Sequence, residues 1–78
     1  MENTDSKVKK VETEWIASHL IVCDLERLAV DFLLAGDDEG FHRTQLQLQE
    51  AIDMRGNAAA MFLNATLTNR YPYFNKYL

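Results

Sequence analysis

The side chains best suited to chemistry in this chain are a histidine and a cysteine four residues apart. His19 and Cys23 share one side of a helix if their segment is helical, because residues i and i+4 are neighbours there. Two such ligands can begin a zinc site, but a closed site takes about four. His42 lies well away along the chain. We therefore predict no metal and no cofactor, and instead a half-buried histidine beside an inert, buried cysteine.

Other kinds of catalytic site are equally poorly supported by the residue pattern. Asp24 directly follows Cys23 and disfavours a reactive thiolate. The acidic run from Asp37 to Glu39 lacks the further oxygen ligands of a calcium loop. Phosphate loops and dinucleotide fingerprints are absent. The sequence thus predicts a non-enzymatic protein with no small-molecule substrate.

The element that must position His19 and Cys23 is a long helix, predicted from about residue 6 to residue 35. Its apolar residues alternate between steps of three and four, as in a helix–helix seam: Val8, Val11, Trp15, (Ser18), Val22, Leu25, Ala29 and Phe32. Apolar residues also lie on both edges of this seam: Ala17, Ile21 and Leu28 on one, and Ile16, Cys23, Val30 and Leu34 on the other. The apolar arc therefore covers about two-thirds of the circumference, more than one partner helix can bury.

A second helix is predicted over residues 41–70, after a stop at Gly36 and an acidic connection over residues 37–40. Its predicted apolar face comprises Phe41, Leu48, Ala51, Ile52, Ala58, Ala59, Phe62, Leu63 and Ala65. Such a short connection makes the helices antiparallel, so that Trp15 should face Phe62. We expect close backbone packing at Gly56 to compensate for its poor helix propensity, and Thr66 to bond back to the preceding turn.

The sequence allows more than one structural interpretation of the two ends of the chain and of Arg55. We expect residues 1–5 to be frayed, with Thr4, Asp5 or Ser6 as the N-cap. The aromatic tail over residues 71–78 is either a strap folded back over Trp15 or an anchor for a partner. Arg55 interrupts the apolar face of the second helix. It either pairs with a carboxylate, such as Asp24, Glu26 or a partner's acid, or extends its guanidinium to water.

Composition narrows the classes of partner. The formal net charge of −4 and the single basic cluster near the N-terminus disfavour nucleic acids and anionic membranes. No apolar run is long enough to span a bilayer, and the first residues do not form a secretory signal. The lone cysteine fits a reducing compartment. We therefore expect a single cytoplasmic domain over residues 1–78.

These observations together predict an all-α, two-helix antiparallel hairpin that dimerises into a four-helix bundle. The predicted role is that of a homodimeric regulator or adaptor. The residues expected to bind the partner are Ile16, Ile21, Leu28, Arg55, Tyr71, Tyr73, Phe74 and Tyr77.

Two alternatives replace the second copy with a different protein. In shape, the first helix, the Gly36–Asp37 turn and the glutamines at 45, 47 and 49 resemble the YscE-type co-chaperones of type III secretion. That resemblance implies a heterodimer in which a helical hairpin holds a needle-protein chaperone in solution. The other alternative is a phage- or plasmid-type inhibitor of a host protein, permitted by the small size and negative charge.

Overall fold

The structure, a computed structural model, describes the backbone of residues 2–70 and the side chains of residues 6–68. It contains two helices, α1 (Glu2–Ala35) and α2 (Asp38–Arg70), which pack against each other as an antiparallel hairpin. The all-helical hairpin is confirmed. The predicted strap over residues 71–78 lies outside the described residues.

Both helices begin earlier than the sequence pattern indicated. The predicted N-cap at Thr4, Asp5 or Ser6 is wrong, because α1 already begins at Glu2. No proline or glycine in this segment interrupts the helix. The second helix begins at Asp38 rather than near residue 41, so the acidic residues Asp38 and Glu39 form its first turn. Negative charge is favourable at this end of a helix dipole.

The connection between the helices consists of only Gly36 and Asp37. Gly36 has a φ of 74°, the left-handed conformation that glycine adopts without steric cost. Its N–H donates to Leu33 O at 3.2 Å, and the Asp37 N–H donates to Phe32 O at 2.9 Å. These two bonds form a Schellman motif, which satisfies the last carbonyls of α1. The predicted stop at Gly36 is therefore confirmed.

Asp37 also starts the next helix, and the chain then passes very close to α1. The Gly40 N–H donates to Asp37 Oδ1 at 3.0 Å, so Asp37 acts as the N-cap of α2. Gly40 is buried, and a Cβ atom there would lie 2.5 Å from the ring of Phe32. Only a residue without a side chain lets the Phe32 ring pack on the backbone of α2. This contact fixes how α2 is rotated relative to α1.

The buried seam follows helical spacing more strictly than it follows side-chain polarity. The buried apolar residues are Val11, Val22, Ala29 and Ala51. Thr44 is buried as well, and its hydroxyl donates to Gly40 O at 2.8 Å, which satisfies it within the helix. Further along, Trp15 meets Phe62 with ring centroids 6.1 Å apart, as predicted. A polar residue thus takes a seam position because the backbone can satisfy its hydroxyl.

Two apolar residues assigned to the inner face of α2 lie outside it. Ile52 is 40% exposed and Leu63 is 60% exposed. Both lie beside the strict 3–4 seam rather than on it, because the α2 positions that face α1 run through Thr44, Leu48 and Ala51. The prediction that Ile52 and Leu63 pack in the hairpin core is therefore wrong.

Two expectations about the second half of α2 also fail. The helix does continue through Gly56, but nothing lies within 4 Å of a Cβ atom built there, so no close backbone packing accompanies this glycine. The Thr66 hydroxyl is buried, and no described residue forms a hydrogen bond with it, in contrast to the predicted bond to the preceding turn. Within the hairpin alone, the propensity cost of Gly56, about 1 kcal/mol, has no compensation.

The described hairpin is a single layer of helices. Its dimensions are 52 × 24 × 13 Å, and the smallest of them is close to the diameter of one helix with its side chains. Stable domains usually bury their apolar surface between two layers of secondary structure. In a single layer, both broad sides of the hairpin face solvent. Any binding by this chain would therefore depend on the side chains exposed on those two sides.

Candidate interaction surfaces

One side of the hairpin carries a cluster of aromatic and polar groups around His19. The imidazole stacks on Trp15 with ring centroids 5.5 Å apart and an interplanar angle of 8°. Arg55 Nη1, from the other helix, lies 3.2 Å from His19 Nδ1. Cys23 Sγ lies 3.6 Å from the second ring nitrogen, Nε2. Three neighbours thus fix the orientation of this ring.

The bond from Arg55 determines which ring nitrogen of His19 carries the proton. A guanidinium group has only hydrogen-bond donors, so His19 Nδ1 must be the acceptor of the bond from Arg55. The proton of the neutral ring is then on Nε2, which donates to Cys23 Sγ. In this tautomer His19 cannot accept the thiol proton of Cys23, and neither ring nitrogen has a free lone pair for a metal.

The prediction for His19 is confirmed in its placement, whereas that for Cys23 is wrong. His19 is half-buried at the edge of the core, but Cys23 is exposed, because it lies further round α1 from the seam. Arg55 is half-buried and bonds to His19 Nδ1, whereas Asp24 and Glu26 are both exposed. Neither predicted alternative for Arg55 describes this histidine-bonded arrangement.

We call the side that carries this cluster the His19 face. A depression of about 340 Å³ on it is lined by Trp15, His19, Ile52, Arg55, Gly56 and Ala59. These contacts place the flank of α1 that contains His19 beside the flank of α2 that contains Ile52. Extended along both helices at 3–4 spacing, the face comprises Ile16, His19, Cys23, Glu26, Val30 and Leu33 from α1, and Gln45, Gln49, Ile52, Gly56, Ala59, Leu63 and Thr66 from α2. Among these positions only Glu26 is charged, and the Arg55 guanidinium extends to the same face.

The opposite flanks of the same helices form the other broad side, which we call the methionine face. By the same 3–4 spacing it comprises Glu14, Ala17, Ile21, Asp24, Leu28 and Asp31 from α1, and Gln47, Glu50, Met54, Asn57, Met61 and Asn64 from α2. Its large apolar side chains are 41–62% exposed. Four of its residues are acidic and none is basic. The methionine face is thus apolar at its centre and acidic at its edges.

The structure divides the predicted partner-binding residues between these two faces. Ile16 lies on the His19 face, to which the Arg55 guanidinium also extends. Ile21 and Leu28 lie on the methionine face, so the four do not form one patch. The remaining predicted binding residues, Tyr71, Tyr73, Phe74 and Tyr77, lie outside the described residues. Sequence reasoning missed Met54 and Met61, which the 3–4 spacing of α2 could have identified as a second flank.

The described chain also has a depression away from both faces. A second depression, of about 390 Å³, lies beside the turn and is lined by Asp38, Glu39, His42 and Arg43. Its acidic and basic residues are spaced four apart on one helix, an arrangement that stabilises the helix without any ligand. Among the described residues, no three histidine, cysteine or acidic side chains are grouped closely enough to hold a metal ion. Neither helix, over its described length, includes a stretch apolar enough to cross a membrane.

No protein-family model matches the chain, and no curated protein or solved structure is significantly similar to it.

Proposed function

We propose that this chain is a non-enzymatic protein–protein interaction module that acts as a homodimer, with two hairpins joined through their His19 faces into a four-helix bundle. The observation that carries this proposal is the exposure of apolar side chains on a single-layer hairpin. Among the described residues, twelve large hydrophobic side chains are 40–81% exposed. Soluble monomers rarely leave contiguous apolar patches of more than a few hundred Å².

Charge favours the His19 face as the contact between identical copies. A homodimer brings each patch against its own copy, so a patch that contains four acids and no base would oppose acid to acid. The methionine face has this composition, whereas the His19 face has one acid, Glu26, and also receives the guanidinium of Arg55. Gly56 also lies on the His19 face with open space around it, which would let a second backbone approach closely.

Cys23 provides a natural probe of this interface, because it is exposed in the hairpin and lies on the His19 face. We would measure its alkylation by N-ethylmaleimide across a dilution series, in parallel with the solution mass by light scattering. The dimer predicts slow alkylation at high concentration, and a rise of roughly tenfold or more once dilution yields the monomer.

The matched control moves the thiol to the other side of the same helix. In a Cys23→Ser, Ala17→Cys variant, the new thiol lies on the methionine face and should react at the same rate at every concentration. Protection of position 17 instead of position 23 would show that the copies meet through their methionine faces, and it would overturn the proposed contact. A monomeric mass at all concentrations would overturn the homodimer and favour a heterodimeric partner, as in the co-chaperone and inhibitor alternatives.

A further inference from the structure

The methionine face has a composition that differs from that of a self-association surface. Ile21 and Leu28 on α1 flank the seam on the side opposite His19, and Met54 and Met61 on α2 lie across from them. All four are 41–62% exposed. The 3–4 spacing places all four on the same broad side of the hairpin, beside the groove between the two helices. Methionine is unbranched and adapts to irregular partners, which suits a surface that receives another protein.

The rims of this groove are acidic along the half nearer the turn. Asp24 and Asp31 border it on α1, and Glu50 borders it on α2. All three side chains are exposed. Basic residues on the described parts of these flanks lie beyond both ends of the face, at Lys7, Lys10 and Arg43. The positive charge of Arg55 is directed to the opposite side of the hairpin, where it bonds to His19.

We infer that the methionine face binds an amphipathic basic helix from another protein. An apolar row between two helices receives the apolar stripe of a third helix, with anchors at 3–4 spacing. Lysine or arginine residues beside that stripe would then lie near the acidic rims, and this charge complementarity selects a basic partner over an acidic one. This inference rests on the proposed role of the chain as a binding module, but it does not depend on the dimer.

The test uses a labelled synthetic helix of about 18 residues, or five turns, with leucines at 3–4 spacing and lysines at the other positions. A counterpart with glutamate in place of every lysine has the same apolar stripe. Fluorescence anisotropy with the full chain should show saturable binding of the lysine peptide and none of the glutamate peptide at the same concentrations. Equal binding of both peptides would overturn the inference.

A single substitution separates apolar docking from mere attraction between charges. Met54→Glu adds an acid to the face, so a purely electrostatic contact would bind the lysine peptide more tightly. Docking of an apolar stripe instead predicts a loss of roughly tenfold or more in affinity. Unchanged or tighter binding by this variant would overturn the inference. Met54 is 62% exposed, so the variant should retain its helical content, which circular dichroism would verify.

The rim charges are tested by a matched pair of double variants. Asp24→Asn with Asp31→Asn should weaken lysine-peptide binding by roughly five- to tenfold, the sum of two exposed charge pairs. Glu39→Gln with Asp53→Asn makes the same change in net charge at exposed positions outside both faces, and should leave the affinity nearly unchanged. An equal loss in both double variants would reduce the effect to overall charge and overturn the inference.

Failure of this inference can be distinguished from failure of the proposed dimer. Leu63→Glu, on the His19 face, should halve the solution mass while lysine-peptide binding persists. Met54→Glu should do the reverse, keeping the dimer and losing the peptide. If Met54→Glu halves the mass instead, a second copy occupies the methionine face, and the inference is overturned. If Leu63→Glu leaves the mass unchanged, only the proposed dimer contact fails.

Discussion

The two broad sides of the hairpin are built from the same two helices, yet they differ in charge and in depth. The His19 face has one acid, Glu26, one base, Arg55, and a depression beside Trp15. The methionine face has four acids and a row of flexible apolar side chains. The difference shows that exposed apolar area alone does not identify a partner. From the charges beside that area we propose an identical copy as the partner of the His19 face and a basic helix as the partner of the methionine face.

The sharpest test of this comparison uses two isoleucines on α1. Ile16 and Ile21 have similar exposure, 43% and 50%, but lie on opposite faces. Ile16→Glu should raise the dimer dissociation constant by roughly a hundredfold, or about 2.7 kcal/mol, because it buries an unpaired charge between the copies. Sedimentation equilibrium would measure this change. Ile21→Glu, the matched control, should leave the dimer intact, and equal effects of the two would abolish the distinction between the faces.

The next largest effect should come from the contact that sets the rotation of α2. Gly40→Ala would push a methyl group into the Phe32 ring, since a Cβ atom there lies 2.5 Å from that ring. We expect a loss of about 1–3 kcal/mol in the free energy of unfolding, the usual cost of overpacking. Urea denaturation followed by circular dichroism would measure it. Unchanged stability would mean that the close approach of Phe32 to Gly40 is not required by the fold.

Gly56→Ala should have opposite effects on folding and on association. The site is open in the hairpin, so alanine should stabilise the helix by about 1 kcal/mol. That gain is best measured by urea denaturation in the non-associating Ile16→Glu background. In the otherwise unchanged chain, the added methyl group should weaken the dimer, because it keeps the second copy away from α2. A gain in both quantities would argue against close packing at Gly56.

The smallest expected effect concerns the arginine of the His19 face. Arg55→Leu removes the bond to His19 Nδ1 and adds apolar contact, so the free energy of unfolding should change by less than about 1 kcal/mol. The informative readout is specificity, because a single polar residue in an apolar interface often fixes register and oligomer state. Analytical ultracentrifugation should reveal additional oligomers in the variant. Severe unfolding would instead assign Arg55 an essential structural role.

The helices, the Gly36 stop and the pairing of Trp15 with Phe62 could be predicted because each depends on local spacing or on a residue with one dominant conformational preference. The inner face of α2 was harder to predict, since Thr44 is polar and Ile52 is apolar, yet only Thr44 is buried. Burial there follows the strict 3–4 repeat, and the Gly40 carbonyl satisfies the Thr44 hydroxyl. A prediction based first on polarity would bury Ile52 and expose Thr44, the reverse of what the structure shows.

The division of the candidate site between two faces was missed for a different reason. Both edges of the α1 seam are apolar, so the sequence of α1 alone suggests one wide surface. The two edges become separate only when α2 lies along the seam between them, and this depends on the rotation set at Gly40. The bond from Arg55 to His19 joins residues 36 positions apart and likewise requires the register of the assembled hairpin.

The two-residue connection at Gly36 and Asp37 also limits how this protein can change during evolution. Both residues already have a structural role, because Gly36 ends α1 and Asp37 caps α2. One inserted residue would turn α2 by about 100° about its own axis, the rotation per residue of an α-helix. Acids of one face would then approach the uncharged positions of the other, and the buried seam would be lost as well. Substitutions on either face are therefore an open route to new partners, whereas a change in the length of this connection is not.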